Sequence, residues 1–251
     1  MSVSSEGKRK EGGLVEGGRV IFHALIIALV IRTLLFQPFN IPSGSMKATL
    51  LIGDYLFVSK YSYGYTHYSL PLSPPLFSGR IFDSQPERGD VVVFRLPKDD
   101  TTDYIKRVIG LPGDTVQMTN GQLFINGALV PTTLIGNYVD TSSGGPVVAT
   151  DLLEHLPGGK VNQILKETDQ GYANNTPLFT VPAGDLFMMG DNRDDSEDSR
   201  FMDGPVGYVP VQNVVGPADL IFFSIDLRHP FYEFWYWPTE IRWDRLFKII
   251  H

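Results

Sequence analysis

The stretch YIKRVIGLPGDTVQM, residues 104–118, places a Leu-Pro-Gly-Asp turn between two runs rich in β-branched and apolar residues, the pattern of strand, turn, strand. If 104–109 is extended, Tyr104, Lys106 and Val108 share one face, and Ile105, Arg107 and Ile109 share the other. Both faces are largely apolar, so this strand is expected to be covered on both sides. The Gly-Asp signal recurs at Gly53-Asp54 before YLFV, Gly89-Asp90 before VVVF and Gly184-Asp185 before LFMM. Asn126-Gly127, between QLFI and ALVP, reads as a two-residue hairpin turn, and LIFFSI at 220–225 as a further strand. Arg88-Gly89-Asp90 is one more turn before a strand, and the Tyr-, Pro- and Ser-rich stretch 61–89 an extended surface loop. No side-chain pattern repeats at solenoid or propeller period. The expectation is a mainly β chain built from closed or sandwiched sheets.

Composition supports this. With 251 residues, 43% of them hydrophobic and 20% charged, the chain is long and apolar enough to bury a core. Its 25 Gly and 18 Pro favour short segments joined by turns. The absence of Cys excludes disulfides, thiolate metal sites and a cysteine nucleophile. A net charge of −7 is the wrong sign for a general nucleic-acid binder, so no nucleic-acid partner is expected.

One long apolar run, VIFHALIIALVIRTLLF at 20–36, would span about 25 Å as a helix, just short of a bilayer core. Arg32, near its end, can reach the headgroups on its long stem. Lys8, Arg9, Lys10 and Arg19 precede the run, as the positive-inside rule expects of a cytoplasmic tail. The Gln37-Pro38-Phe39-Asn40 that follows is no small-x-small cleavage site, so the run reads as an uncleaved anchor. The expected organisation is a tail at 1–19, an anchor at 20–36, a β core at 37–118 and 183–251, and a looser, turn-rich inserted subdomain at 119–182 without visible chemistry.

Three clusters could carry chemistry. Pro42-Ser43-Gly44-Ser45-Met46 offers hydroxyls, but a serine nucleophile needs a base. None of His23, His67, His155, His229 or His251 sits in a catalytic-looking context. A lysine serves if burial lowers its pKa, and the apolar setting of 104–109 provides that for Lys106, whereas guanidinium at Arg107 cannot deprotonate. Lys47 and Lys60 follow polar or turn-like sequence and are expected to be exposed. Gly190-Asp191-Asn192-Arg193-Asp194-Asp195-Ser196-Glu197-Asp198-Ser199-Arg200 reads as a network of ion pairs and hydrogen bonds fixing a site. It lacks the Gly that an EF-hand loop needs at its sixth position.

PSGSM at 42–46, KRVIGLPGD at 106–114 and GDNRDDSEDSR at 190–200, in this order behind an anchor, resemble the three sequence boxes of bacterial type I signal peptidase. The resemblance runs from about residue 30 to 225 and is weakest in the insertion. It implies an antiparallel β-sheet or barrel catalytic core and a membrane-anchored serine endopeptidase, without cofactor or metal, that removes signal peptides from exported preproteins after small-x-small sites. Ser45 would be the nucleophile and Lys106 the general base. Ser43 would join the Ser45 amide in the oxyanion hole, and Ser196 would orient the lysine. Arg107, Asp191, Asp198 and Arg200 would form supporting ion pairs. Phe39, Ile41, Met46, Leu50, Leu56, Val93, Tyr104 and Ile105 would line shallow pockets for small residues. The resemblance further implies a single-pass protein of the inner (plasma) membrane, its N-terminus cytoplasmic and its catalytic domain periplasmic. Ala48 departs from the family pattern, which usually has proline there.

Two other readings stay open: an anchored β-domain that binds an extracytoplasmic partner without catalysis, and a self-cleaving regulator with the same dyad. The C-terminal FYEFWYW at 231–237 and IRWDRLFKII at 241–250 fit either core packing with a terminal helix or docking on the bilayer surface.

Overall fold

The computed structural model describes residues 7–140, 146–226, 228–230 and 232–250. A helix, α1 (Gly7–Leu34), leads into β1 (Phe36–Asn40) and β2 (Asp54–Ser59). Next come β3 (Val91–Arg95), β4 (Asp103–Gly110), β5 (Thr115–Thr119), β6 (Gln122–Ile125) and β7 (Ala128–Leu129). Then follow β8 (Thr132–Asp140), β9 (Val147–His155), β10 (Val161–Lys166), β11 (Phe179–Thr180) and β12 (Asp185–Met189). The chain closes with β13 (Val209–Pro210), β14 (Val214–Ser224), a single helical turn α2 (Trp237–Glu240) and β15 (Lys248–Ile249).

The main sheet is antiparallel in the order β1-β2-β14-β3-β4-β12-β13, with β15 beside β14. Strand β14 pairs with β3 through Val214–Pro217 and with β2 through Ala218–Ser224. Register shifts on either side of Pro217, which has no N–H to give a ladder, let one strand serve both neighbours. It begins six residues before the LIFFSI signal, because Val214 and Val215 are buried while Gly216 and Pro217 mask the pattern.

All four Gly-Asp turns stand at strand starts, their glycines at φ 88°, 91°, 88° and 85°. Asn126 and Gly127 form the hairpin turn between β6 and β7 with positive φ at both positions. As the alternation in 104–109 implies, β4 is covered on both faces. Val108 lies in a core with Val92, Phe94 and Met188, whereas Ile109 packs with Val116, Met118, Ile125 and Phe187. A third core, of Ile41, Met46, Leu50, Leu56, Val58, Val93 and Ile221, fills the space behind β1 and the turn that follows it.

The 119–182 stretch is more ordered than expected. Strands β8, β9 and β10 form a three-stranded antiparallel sheet, while β5, β6, β7 and β11 form another. Polar and exposed residues on β8 weaken its strand pattern, which is why it reads as loop-like.

Within α1, Val15–Leu34 is long and apolar enough to cross a membrane, and none of it is buried against the rest of the chain. Its 20 residues correspond to about 30 Å, the thickness of a hydrocarbon core. The apolar run itself ends two residues later, where Phe36 already belongs to β1. Among the described residues, 241–250 form no α-helix. Instead Arg245 grips Asp54 through two hydrogen bonds of 3.0 and 2.5 Å, and Phe234, Trp235, Trp243 and Phe247 remain exposed.

Candidate active site

Ser45 sits in the turn after β1, between Ile41 and Leu50, which are both buried in the third core. Those anchors fix the turn beside β4, where Lys106 stands opposite Val92. Ser45 Oγ and Lys106 Nζ are 2.5 Å apart, and the residues are 9% and 3% exposed. Burial lowers the Lys106 pKa from 10.5 to about 8; the nearby Asp198 and Asp191 carboxylates oppose the shift, and Arg200 adds to it. A substantial neutral fraction therefore exists at mildly alkaline pH, so this amine can accept a proton.

The other acidic-cluster residues converge here. Arg107 reaches from the opposite face of β4 to Asp191, with Nε–Oδ1 at 2.8 Å and Nη2–Oδ2 at 2.7 Å. Arg200 binds Asp198 in the same forked manner at 2.9 and 2.8 Å. Burial alone would raise the Asp198 pKa, but the Arg200 guanidinium and the Gly190 N–H overcome it and hold the carboxyl below its usual range. Gly190 must be small: an added Cβ would stand 2.2 Å from Ser196 Oγ and 2.5 Å from the Ser45 carbonyl oxygen. Ser196 is buried there, yet its Oγ meets no hydrogen-bond partner among the described residues. The expected bond from Ser196 to Lys106 is thus not formed in this arrangement, in which the Ser196 side chain lies against Gly190.

A cavity of about 380 Å³ opens beside the Ser45–Lys106 pair. Phe39, Ile41, Val93, Tyr104 and Ile105 line it, with Ser43 at its edge and the exposed Asp195 and Glu197 on its rim. Met46, Leu50 and Leu56, expected as pocket walls, are fully buried in the third core instead. They share that core with Ile41 and Val93, and so support the wall from behind.

Lys47 and Lys60 are not exposed as expected; each is 3% exposed. Lys47 pairs with Asp140. Lys60 lies under the loop after β2 and donates to the Ser69 carbonyl at 2.7 Å. Burial, aided by Arg32, lowers its pKa to about 8.

Sequence reading gave no individual role to several residues that hold the site. Thr49 donates to Asp191 Oδ2 at 2.5 Å. Asn192 binds the Ser45 carbonyl through its backbone N–H at 3.1 Å and the Gly44 carbonyl through Nδ2 at 3.2 Å. Glu154, in the insertion, forms a fully buried forked pair with Arg193 at 2.6 and 2.5 Å. A carboxylate set among leucines in LLEHL was its only available signal.

The family described as "Signal peptidase, peptidase S26" matches residues 14–223. Signal peptidase I of Rickettsia typhi is 41% identical over 244 residues, 90% of each chain. That of Rickettsia akari is 43% identical over 225 residues, 86% of this chain and 80% of its own. A solved signal peptidase I from Enterococcus faecalis, 26% identical, aligns with 53% of this chain and 97% of its own at a TM-score of 0.31. A match across most of the sequence, at this identity to relatives of similar length, means that the chain belongs to the signal peptidase family, peptidase S26.

Proposed function

We propose that this chain is a membrane-anchored endopeptidase that removes signal peptides from preproteins after small-x-small sites, using Ser45 and Lys106 as a catalytic dyad. The observation that carries the reading is the 2.5 Å contact between a serine hydroxyl and a buried lysine amine at the edge of an apolar cavity.

Neutral Lys106 takes the Ser45 proton as Oγ attacks the carbonyl after the small residue. The negative charge that forms on the carbonyl oxygen is met by the Ser45 N–H and the Ser43 hydroxyl. When the tetrahedral intermediate collapses, the C–N bond breaks, Lys106 protonates the leaving amine, and the signal peptide remains as an ester on Ser45. Lys106 then deprotonates a water that attacks the ester, and the proton returns to Ser45. The Arg107–Asp191 pair ties β4 to the 190–200 segment, and the Arg200–Asp198 pair braces that segment internally. Assigning Ser196 as the lysine-orienting residue requires its side chain to turn from Gly190 toward Lys106. The walls formed by Phe39, Ile41, Val93, Tyr104 and Ile105 exclude large side chains and keep Lys106 dehydrated.

In this reading residues 37–118 and 183–251 are the catalytic core, and 119–182 an inserted subdomain. Helix α1 spans the inner membrane with its basic N-terminal tail in the cytoplasm, which leaves the catalytic domain outside. Exposed Trp235, Trp243 and Phe247 rest on the bilayer surface, where a signal peptide emerges.

The test incubates detergent-solubilised protein with a precursor bearing an Ala-x-Ala signal and maps the products by mass spectrometry. A single cut after the second Ala by wild type, absent in Ser45→Ala and Lys106→Ala, is expected. A folded wild type that leaves the precursor intact, or a Ser45→Ala variant that still cuts it, overturns the proposal.

A further inference from the structure

Strands β8, β9 and β10 meet the Ser45 turn, or the 190–200 segment beside it, at three places. Arg193 N–H donates to the Leu165 carbonyl and Leu165 N–H to the Asp191 carbonyl, both at 2.9 Å, so β10 runs beside the segment that carries Asp191 and Asn192. Glu154 on β9 fixes Arg193 in the buried pair already described. Asp140, at the end of β8, pairs with Lys47, two residues beyond Ser45. Lys47 is buried, and its stem crosses directly over Gly44: a methyl group added there would stand 3.0 Å from Lys47 Cε and 3.2 Å from Nζ. The turn is therefore gripped from both sides. Asn192 holds the Gly44 and Ser45 carbonyls, while Lys47 N–H donates to the same Gly44 carbonyl at 3.0 Å as its ammonium is held by the inserted sheet.

We infer that Lys47 and Asp140 are positioning residues for the nucleophile, and that the three-stranded sheet β8–β10 serves the reaction by clamping the Ser43–Lys47 turn against Lys106. The inference rests on the Ser45–Lys106 assignment. An ion pair is suited to the task because a buried ammonium without its carboxylate would leave the site for water, taking the turn with it. A displacement of about 1 Å at a nucleophile costs about 100-fold in turnover, so a tether remote from substrate can control kcat. Neither Lys47 nor Asp140 lines the cavity, so the effect falls on turnover more than on substrate binding.

The test measures kcat and KM for wild type, Asp140→Asn, Lys47→Met and the double variant, each checked by its melting temperature. A single variant removes one charge of the pair and leaves the other without it, and so is prone to unfold. The double variant removes both charges while keeping similar volume, so it carries the decision. The expected result is a folded double variant whose kcat falls about 10-fold or more with KM within about twofold of wild type, and no lower than the worse single variant. Wild-type kcat in the double variant means that the charges only balance one another, and overturns the inference. So does a loss of kcat that multiplies from single to double, or one that appears mainly in KM. An inactive wild type would instead overturn the functional assignment beneath it.

Discussion

Two lysines of this molecule are each 3% exposed, and burial lowers the pKa of each to about 8, yet their surroundings differ. Lys106 meets the hydroxyl of Ser45 beside a cavity, whereas Lys60 meets the backbone carbonyl of Ser69 beneath a surface loop. A depressed amine is thus necessary for a Ser/Lys site and not sufficient. The second requirement is a serine placed on it, and here the placement comes from the Ile41–Leu50 turn and the 190–200 segment. Burial of a lysine marks a candidate; the geometry of its neighbour assigns the role.

The largest expected contrast is in turnover. Ser45→Ala and Lys106→Met should lose at least about 10⁴-fold in kcat, since members of a nucleophile–base unit fail together. Lys60→Met should remain within about threefold of wild type, and an equal loss there would erase the distinction between the two regions. Ser43→Ala comes next, with a fall of about 100- to 1,000-fold in kcat read in the same cleavage assay. In stability, Arg107→Met strands Asp191 in the interior and should cost about 3–5 kcal/mol in denaturant melts. Replacing the exposed Arg228 beside Asp226 should cost less than about 1 kcal/mol. The smallest effect concerns the rim. Glu197 raises the Lys106 pKa, so Glu197→Gln should move the alkaline rise of activity to lower pH by about a few tenths of a unit, and an unchanged midpoint would remove Glu197 from the electrostatics of the site.

Much of the architecture was legible because its signals are local. The Gly-Asp turns, the Asn126-Gly127 hairpin and the double-faced strand 104–109 depend on backbone conformation and side-chain alternation within a few residues, and each appears where the pattern places it. Lys106 was readable from its apolar strand and the 190–200 network from its charged cluster, whereas the ion-pair roles of Arg107 and Asp191 came from the resemblance. What escaped depends on partners distant in sequence. Glu154 finds Arg193 and Asp140 finds Lys47 only after the inserted sheet has folded against the core, so no local pattern marked either carboxylate. Met46, Leu50 and Leu56, assigned through the resemblance, were placed one layer too far forward, since a motif match does not separate a cavity wall from the core behind it. Ser196 lies beside Gly190, a distinction of side-chain rotation that no sequence pattern records.

The most direct test of the Ser45–Lys106 dyad is the pH dependence of kcat/KM for the wild-type protein in detergent. Below its folded pKa Lys106 is protonated and cannot act as base, so activity should rise tenfold per pH unit and level off near pH 8, where the buried amine becomes neutral. A midpoint near 6.5, the ordinary value of an imidazole, would contradict the lysine base, as would a rise that continues to about pH 10.4, the value of a solvated amine.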